Sequence, residues 1–600
     1  MDKRKEELLA AWAGMQIERY WRWLVVAAWL IFCAIFIYQR WAGIQGFALG
    51  DTDDNLRMSQ VRALLGGQDW FDLRQYRLNP PQGADVHWSR LVDLPLAGLI
   101  LLLRPLAGGP EAERIAVTVA PLLPLLVMLF GVALTARRLI DPRAYPMAIV
   151  ALFFAGSTTG MFMPTRIDHH GWQLAFLSLA VAGLADPKRA RGGATLGAAT
   201  ALSLAVGLEL LIYLAIAGAA TVLFWIDSAD QRRRLATYAA TAGGGTALAY
   251  LLFASHANRE PLCDALSPVW LSNAMLGGAL LLALAFLTPG DWKRRLALAA
   301  GAGLIVAAFH ALSWPHCLNR LEGVSPEVER LWLSYVREAR PVYRHGWEVA
   351  PLLLALPVTG ILGWGLLSWR NRRNRDLLRR TLAVALPALA AMALLFWQTR
   401  TAPAAQMLAA VGAIAIIWIL APLAWRSSYA AVRILGVTSI ALVGLGAVAP
   451  LVSNLKPQRE RTEREIAIAR ANRLCNSLYG LKPIAQQPKG MVFTFVDLGP
   501  RLITVTHHTS VTGPYHRNGE QIADVMKAFR GDEAQARAII AGKYRSDYLL
   551  TCPMSSTHTI FMSEARDGFY GRLERGQVPG WLERVELPED SPFKLWRVSR

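Results

Sequence analysis

Residues 115–136 read IAVTVAPLLPLLVMLFGVALTA, which is 22 residues without one charged side chain. A helix needs roughly 20 apolar residues to cross a hydrocarbon core of about 30 Å, so this stretch predicts a membrane span. Residues 147–165 form a second uncharged run, and 54% of the 600-residue chain is hydrophobic. This composition is typical of a polytopic α-helical membrane protein and excludes an ordinary soluble globular chain.

Applied to the whole chain, the same criterion predicts about 13 transmembrane helices. The predicted spans are residues 21–39, 114–136, 144–164, 171–185, 194–207, 210–226, 236–254, 272–288, 296–313, 349–369, 381–397, 404–424 and 431–452. Residues 91–103 are also apolar, but the stretch is short and contains Asp93. Counting it as a span would invert the orientation of every later span, so it predicts a helix lying on the outer surface.

The net charge of +19 does not indicate a nucleic-acid partner, because Lys and Arg are scattered in small clusters between the apolar runs. With the N-terminus in the cytoplasm, a basic cluster falls in each of the six inner loops, which is the distribution that sets membrane orientation. The clusters lie at residues 137–143, 188–191, 232–234, 293–295, 370–380 and 426–433, and the N-terminus itself carries Lys3, Arg4 and Lys5. We therefore expect a multi-pass protein of the bacterial inner (plasma) membrane with a periplasmic C-terminus.

This topology divides the chain into three parts. They are a cytoplasmic N-terminus at 1–20, a transmembrane part at 21–454 with outer loops at 40–113 and 314–348, and an outer domain at 455–600. The outer domain has mixed charge and no apolar run of span length. Strand-like stretches at 491–496, 502–506 and 548–551, with a helical pattern at 520–541, predict a C-terminal extracytoplasmic α/β domain.

Four of the five cysteines fall on the predicted outer side, and only Cys33 lies in a span. Disulfides persist in that oxidising environment. We expect Cys475 to pair with Cys552, and Cys263 to pair with Cys317.

Three polar motifs lie on the outer side near span ends. Residues 50–54 (GDTDD) place three carboxylates within four positions, which suits a hard divalent cation but also a solvated acidic loop. Residues 166–170 (RIDHH) offer a carboxylate and two imidazoles for a metal, or form a hydrated histidine pair. Residues 335–341 (YVREARP) place Glu338 between two arginines, either as a metal ligand beside a phosphate clamp or as an ion-paired surface group.

Together the motifs resemble those of the catalytic subunit of oligosaccharyltransferase, a C-type membrane glycosyltransferase of archaeal and bacterial type. Asp51 to Arg57, followed by NPPQGADVHW at residues 79–88, resembles the family's first outer loop, where a catalytic Asp precedes a short segment ending in Arg. Residues 168–170 (Asp-His-His) resemble the second acidic motif, and Glu338 resembles the essential Glu of the fifth outer loop. Thirteen spans with the C-terminal domain outside are also the family's arrangement.

The resemblance implies a transferase that moves a sugar or oligosaccharide, by hexosyl or pentosyl transfer with inversion, from a polyprenyl-linked donor in the bilayer. The acceptor would be a glycan, lipid or protein outside the cytoplasm. The implied site residues are Asp51, Asp168, His170 and Glu338 as ligands of Mn²⁺ or Mg²⁺, Asp51 and Glu338 as catalytic residues, Arg340 or Arg344 for the donor phosphates, and Asp53 and His516 for the acceptor.

One family motif is missing from the C-terminal domain. The family grips a glycosylation sequon with Trp-Trp-Asp-Tyr-Gly, whereas the nearest segment here is FVDLG at residues 495–499. Without the indoles their N–H donors are absent, so we predict that the acceptor is not chosen by reading a sequon hydroxyl.

Two other functions are compatible with a polytopic chain. An O-antigen-ligase-like enzyme of envelope polysaccharide would not need the outer carboxylates. A transporter would bind its substrate near mid-membrane, and Glu209, between the fifth and sixth predicted spans, is the feature that favours this interpretation.

Overall fold

The structure is a computed structural model that describes residues 12, 14–318, 324–455 and 460–599. The basic residues 3–5, used above to orient the chain, lie outside the described residues. The described chain is mostly helical and carries one small sheet near its C-terminus.

Helical segments occupy all 13 predicted span positions. Up to residue 453 the α-helices are α1 Trp21–Gln45, α2 Thr52–Leu65, α3 Arg90–Ala107, α4 Gly109–Val119, α5 Leu122–Leu139, α6 Tyr145–Ala151, α7 Gly156–Gly160, α8 His170–Ala185, α9 Arg189–Val206, α10 Leu211–Asp227, α11 Arg232–Phe253, α12 Pro268–Leu287, α13 Trp292–Ser313, α14 Pro326–Leu331, α15 Ala350–Asn371, α16 Arg375–Leu394, α17 Ala402–Trp425, α18 Val437–Gly444 and α19 Val448–Ser453. Among the described residues, 7 helical stretches are long and apolar enough to cross a membrane, and shorter apolar helices accompany them. The full number of crossings stays a prediction.

Helices α9 and α11, at the fifth and seventh predicted spans, are not among those seven stretches. They pack closely along small residues. A Cβ added to Gly197 of α9 would lie 2.6 Å from the Tyr238 carbonyl oxygen of α11. Backbone contact of this kind is a recurrent way for helices to associate in membranes.

The third predicted span is a broken helix. After α6 the chain makes a 3₁₀ turn at Leu152–Phe154 and then the short helix α7. The polar groups at the break are satisfied by α17, since the Ser157 amide donates to Gln406 Oε1 at 2.9 Å and the Thr158 hydroxyl donates to the Pro403 carbonyl at 2.7 Å. An irregular backbone is tolerated at membrane depth when neighbouring helices supply such partners.

Basic residues from three predicted inner loops converge at the C-terminal end of α8. Arg138 and Arg191 pair with Asp186 at 2.8 Å and 2.6 Å, and Arg380 donates to the Ala185 carbonyl at 3.0 Å. These loops therefore lie on one side of the helical bundle, as the charge distribution predicts.

The apolar stretch at residues 91–103 lies within helix α3, so its predicted helical state is confirmed. Its acidic residue is neither solvated nor unpaired. The Asp93 carboxylate pairs with Arg57 at 2.8 Å and with Arg90 at 3.0 Å, and all three side chains are fully buried. This ion network joins α3 to α2, which carries the acidic residues of the first outer loop.

In its described residues the C-terminal domain combines seven α-helices with a five-stranded sheet. These are α20 Glu463–Cys475, α21 Leu478–Ala485, α22 Gly499–Val505, α23 Gly519–Arg530, α24 Glu533–Arg537, α25 Ser556–Glu564, α26 Phe569–Glu574, β1 Met491–Phe493, β2 Thr509–Ser510, β3 Tyr548–Thr551, β4 Leu582–Val585 and β5 Lys594–Val598. The strand order is β2-β1-β3-β5-β4, with β1 parallel to both neighbours and β5 antiparallel to both of its own. The strands predicted near 491–496 and 548–551 are confirmed.

The strand predicted at residues 502–506 is wrong, because this segment belongs to helix α22. The β-branched residues Ile503, Thr504 and Val505 suggested a strand. Pro500 in the first turn instead favours a helix start, and α22 packs against α2, where the Thr504 hydroxyl donates to the Asn55 carbonyl at 2.8 Å. Tertiary packing therefore outweighs local propensity.

Both predicted disulfides are confirmed. Cys475 and Cys552 are bonded across the C-terminal domain, with Cα atoms 6.4 Å apart. Cys263 and Cys317 are bonded between two predicted outer loops, with Cα atoms 5.4 Å apart.

A buried ion cluster fastens the C-terminal domain to the outer loops. The Arg517 guanidinium donates two hydrogen bonds to Asp264, at 2.6 Å and 2.8 Å, and pairs with Asp85 at 3.2 Å. Arg517 Nη1 also donates to Asn258 Oδ1 at 2.9 Å. The domain is thereby joined to the first predicted outer loop and to the loop before α12.

Candidate metal centre

The acidic loop after α1 is folded by its own carboxylates. Asp51 caps helix α2, where its Oδ1 accepts the amides of Asp53 at 2.9 Å and Asp54 at 3.3 Å. The Asp54 Oδ2 reciprocates by accepting the Asp51 amide at 2.9 Å. This capping box fixes the start of α2 and leaves the Asp53 side chain outside the capping pattern.

A strained turn at Thr165 places the second motif against this loop. Thr165 has φ +74°, a conformation that a β-branched residue rarely adopts. Three partners hold it there: its amide donates to the Val117 carbonyl at 2.8 Å, its carbonyl accepts the Gly50 amide at 3.1 Å, and its hydroxyl accepts from Arg40 at 3.1 Å. The turn therefore positions residues 166–170 beside residues 50–54.

Direct contacts then join the two motifs. The Asp54 Oδ1 accepts the Asp168 amide at 2.9 Å, and the Arg166 guanidinium lies between Asp51 and Asp168, 2.7 Å from Asp168 Oδ2. The other Asp168 oxygen accepts the His170 amide at 3.0 Å. Two segments more than a hundred residues apart thus form one acidic centre.

Within this centre, the ligand atoms of Asp53, Asp168 and His170 all lie within 4.8 Å of one another. Among the described residues, none donates a hydrogen bond to the Asp53 carboxylate, and the buried Asp168 Oδ2 is held by its ion pair with Arg166. Two carboxylates and one imidazole suit Mn²⁺, and also Mg²⁺ if water completes the shell. The residues present therefore fit the divalent cation that the resemblance implies.

The electrostatics of the centre are those of crowded negative charge. Burial raises the pKa of Asp53 to about 7, and the negative charges of Asp168 and Glu338 add to the rise. Burial and the negative charge of Asp168 also raise the pKa of Asp54 well above its usual range. Burial alone would raise the pKa of Asp168 as well, but the charges of Arg166, His170 and His169 and the hydrogen bond from the His170 amide together outweigh it and lower that pKa to about 2. A bound cation would offset the repulsion among these carboxylates.

Asp51, the predicted catalytic residue and metal ligand, lies in the same centre, where its ligand atom is within 4.8 Å of those of Asp54 and Asp168. Its two oxygens are already engaged, one by backbone amides and the other by Arg166. Asp53, which we expected at the acceptor, has the freer carboxylate. Asp51 therefore differs from Asp53 in being held at both oxygens, as Asp168 also is by Arg166 and the His170 amide.

The fifth outer loop lies close to the centre without joining its ligand group. Glu338, on a 3₁₀ turn at Arg337–Ala339, pairs with Arg400 at 2.7 Å, and its charge still influences Asp53. The Arg340 carbonyl accepts the Thr399 amide at 2.9 Å, which ties the loop to the start of α17. Arg344 is exposed.

His516, the other residue expected at the acceptor, belongs to the ion cluster that fastens the C-terminal domain. Its Nε2 lies 2.6 Å from Asp264 Oδ2. Its ring also packs against that of His87, with centroids 4.8 Å apart and the planes tilted by 39°. His516 therefore stands at the edge of the site, where it joins the domain to the first outer loop.

Sequence reasoning did not assign a role to Asp54 or Arg166, although both lie inside the quoted motifs. Asp54 lies three positions after Asp51, which is the spacing of a capping box from N-cap to N3. This spacing could have identified the structural role of Asp54 at the start of α2. No sequence signal identifies Arg166 as the bridge between motifs, because its role depends on the strained turn at Thr165.

The FVDLG segment contributes its apolar residues to the core of the C-terminal domain. Phe495 and Val496 are 3% and 2% exposed and pack among the domain's buried side chains. Neither residue can line an open acceptor pocket. Burial raises the pKa of Asp497, the acidic residue of the segment.

No protein-family model and no curated protein sequence matches this chain. Its fold matches that of the archaeal oligosaccharyltransferase AglB from Archaeoglobus fulgidus, solved in complex with an inhibitory peptide and a dolichol-phosphate, with a TM-score of 0.66 at 15% identity over 97% of this chain and 75% of that chain. The apo form of the Archaeoglobus fulgidus enzyme gives a TM-score of 0.62 at 18% identity, covering 88% of this chain and 69% of that chain.

A third structure of the Archaeoglobus fulgidus oligosaccharyltransferase, in complex with Zn and sulfate, gives a TM-score of 0.57 at 15% identity over 95% and 73% of the two chains. The resemblance deduced from the motifs is thus confirmed at the level of the fold, along almost the full length of this chain. The chain has the fold of a membrane oligosaccharyltransferase.

Proposed function

We propose that this chain is a membrane glycosyltransferase that moves a sugar or oligosaccharide from a polyprenyl phosphate or pyrophosphate to an acceptor outside the cytoplasm, with inversion. The observation that carries the proposal is the convergence of Asp53, Asp168 and His170 on a fold shared with oligosaccharyltransferase. In the predicted topology these residues lie outside the membrane near helix ends, where a lipid-borne substrate would present its headgroup.

Asp53, Asp168 and His170 would hold Mn²⁺ or Mg²⁺, which supplies positive charge for the departing lipid phosphate. Arg166 orients Asp168, and Asp54 fixes the backbone of both motifs. Glu338 would orient the acceptor nucleophile, and Arg340 or Arg344 would contact the donor phosphates, since Arg suits phosphate recognition. Positioning and charge stabilisation of this kind need no covalent intermediate, which agrees with inversion.

A transporter is less well supported. Glu209, its one favourable feature, pairs with His169 at 2.9 Å and thus belongs to the same outer cluster of residues. This contact does not place Glu209 in a separate mid-membrane site.

A deletion strain tests the proposal. We expect one polyprenyl-linked sugar to accumulate and one envelope glycan, glycolipid or glycoprotein to lose its modification, both measured by mass spectrometry. Wild-type protein should restore the modification and Asp53→Asn should not, whereas Asp69→Asn, a change at an exposed acidic residue of the same loop, should restore it. The proposal is wrong if the deletion changes neither lipid-linked sugars nor glycans.

A further inference from the structure

A second cluster of metal-ligating side chains lies beside the acidic centre. It contains His87 from the first outer loop, His169 from the turn before α8, and Glu209 from the turn between α9 and α10, and their ligand atoms all lie within 4.8 Å of one another. We propose that His87, His169 and Glu209 bind a second divalent cation, Zn²⁺, next to the cation held by Asp53, Asp168 and His170.

The distances suit a tetrahedral ion. Zinc bonds of about 2.0–2.2 Å to nitrogen and oxygen require ligand atoms about 3.3 Å apart. Glu209 Oε1 lies 2.9 Å from His169 Nε2 and 3.7 Å from His87 Nε2, on either side of that value. Two imidazoles with one carboxylate form a recognised zinc ligand set, in which the fourth position stays open for water or substrate.

The surroundings hold the carboxylate in place. The Gln173 side-chain amide donates to Glu209 Oε2, and this arrangement depends on Gly207, since a Cβ there would overlap that oxygen and lie 2.9 Å from Gln173 Nε2. A partner that orients a ligating carboxylate from behind is typical of metal sites. Glu209 keeps 28% of its side chain exposed, so an ion can reach it from solvent.

Aromatic rings and a carboxylate surround the two imidazoles. The Trp88 ring packs against His169, with centroids 5.7 Å apart. His169 is almost fully buried, and its Nδ1 has no hydrogen-bond partner among the described residues. A carboxylate oxygen of Asp264 lies within 4.8 Å of a ring nitrogen of His87.

The two ligand sets share no residue, although they are adjacent. His169 belongs to one set and His170 to the other, and their ring centroids lie 4.4 Å apart. A cation at the second site would add positive charge beside the place where the donor phosphates would lie. This role rests on the proposed function, whereas the binding of the ion does not.

Zinc counting on the purified full-length chain tests the inference without any substrate. Chelator-treated protein is dialysed against Zn²⁺ and the bound metal is measured by mass spectrometry. We expect two ions in wild type, one in Asp53→Asn, one in Glu209→Gln, one in His87→Gln, and none in the double variant Asp53→Asn/Glu209→Gln. His256→Gln, a change at an exposed outer-loop histidine, should keep two.

The ion retained by each single variant also shows that the variant is folded. The inference is wrong if wild type binds one ion that Asp53→Asn removes, or if Glu209→Gln and His87→Gln still bind as many ions as wild type. Such a result would mean that Glu209 only forms an ion pair with His169. It would not contradict the proposed sugar transfer. Conversely, a chain that binds two ions but transfers no sugar would contradict only the proposed function.

Discussion

Asp54 and Asp168 lie 114 positions apart in the chain and are joined by a 2.9 Å hydrogen bond from the Asp168 amide to the Asp54 carboxylate. The other Asp54 oxygen accepts the Asp51 amide at 2.9 Å. One fully buried carboxylate therefore connects both acidic motifs through their backbones, and the positions of the proposed metal ligands depend on it.

Replacing Asp54 with Asn should destabilise the protein although the side chain keeps its shape. Both carboxylate oxygens accept backbone amides, and an Asn side chain has only one oxygen. One buried amide would then face an NH₂ group, at a cost of about 1–3 kcal/mol. We expect a lower thermal midpoint and weaker Mn²⁺ binding in the purified protein. A variant as stable as wild type would show that Asp54 does not connect the motifs.

Removing Arg517 should loosen the C-terminal domain. Arg517 and Asp264 are 6% and 2% exposed, and breaking a buried ion pair by removing one partner costs about 3–5 kcal/mol. We expect Arg517→Ala to speed proteolysis of the C-terminal domain and to reduce sugar transfer. Arg575→Ala, a change at a surface arginine of the same domain, is the matched control and should behave like wild type. Equal proteolysis rates in the two variants would contradict the role of this ion pair.

The same ion pair predicts an acid-labile protein. Burial alone would raise the pKa of Asp264, but the hydrogen bonds from Arg517 and His516 outweigh it, so the folded-state pKa is lower than usual. A carboxyl group with a lowered folded pKa stabilises the fold above its unfolded pKa of about 3.9, and that stabilisation is lost as the pH falls towards the folded value. Thermal stability should therefore fall below about pH 4. Asp264→Asn should be less stable at neutral pH and show a smaller acid-induced change, and an unchanged pH profile would refute this source of stability.

Acceptor selection should not depend on a sequon hydroxyl. Phe495 and Val496 stand at the sequence positions of the two tryptophans in the family motif that they resemble, and both are buried in the domain core. They therefore supply neither N–H donors nor a shaped pocket. We expect Asn-X-Thr and Asn-X-Ala peptides to receive sugar at equal rates. The absence of transfer to both peptides also agrees with this expectation. Transfer to Asn-X-Thr alone would show that this chain reads the sequon by other residues.

Much of the fold could be predicted from the sequence, because apolar runs of span length and basic loops report membrane crossing directly. The break after α6 could not, since Gln406 and Pro403 of a distant helix satisfy it. Helix α22 was missed because its packing against α2 overrides its β-branched residues.

The motifs of the site could also be predicted, but not the division of roles within them. Asp51 and Asp53 are two residues apart and chemically identical. Only the structure shows that Asp51 is used by the helix cap and by Arg166, while Asp53 faces Asp168 and His170. The distances between the two motifs decide which aspartate can reach a cation. Those distances depend on the strained turn at Thr165, which has no sequence signature.

The most direct test compares Asp53 with Asp51 in a metal-dependent transfer assay. Lipid-linked sugars extracted from the deletion strain are incubated with purified protein and acceptor membranes, and release of the polyprenyl carrier is measured by mass spectrometry with Mn²⁺ or with a chelator. We predict that release requires the metal, falls at least about 100-fold in Asp53→Asn, and falls less in Asp51→Asn, which can still cap the helix. Equal release with chelator, or an active Asp53→Asn, would contradict the account.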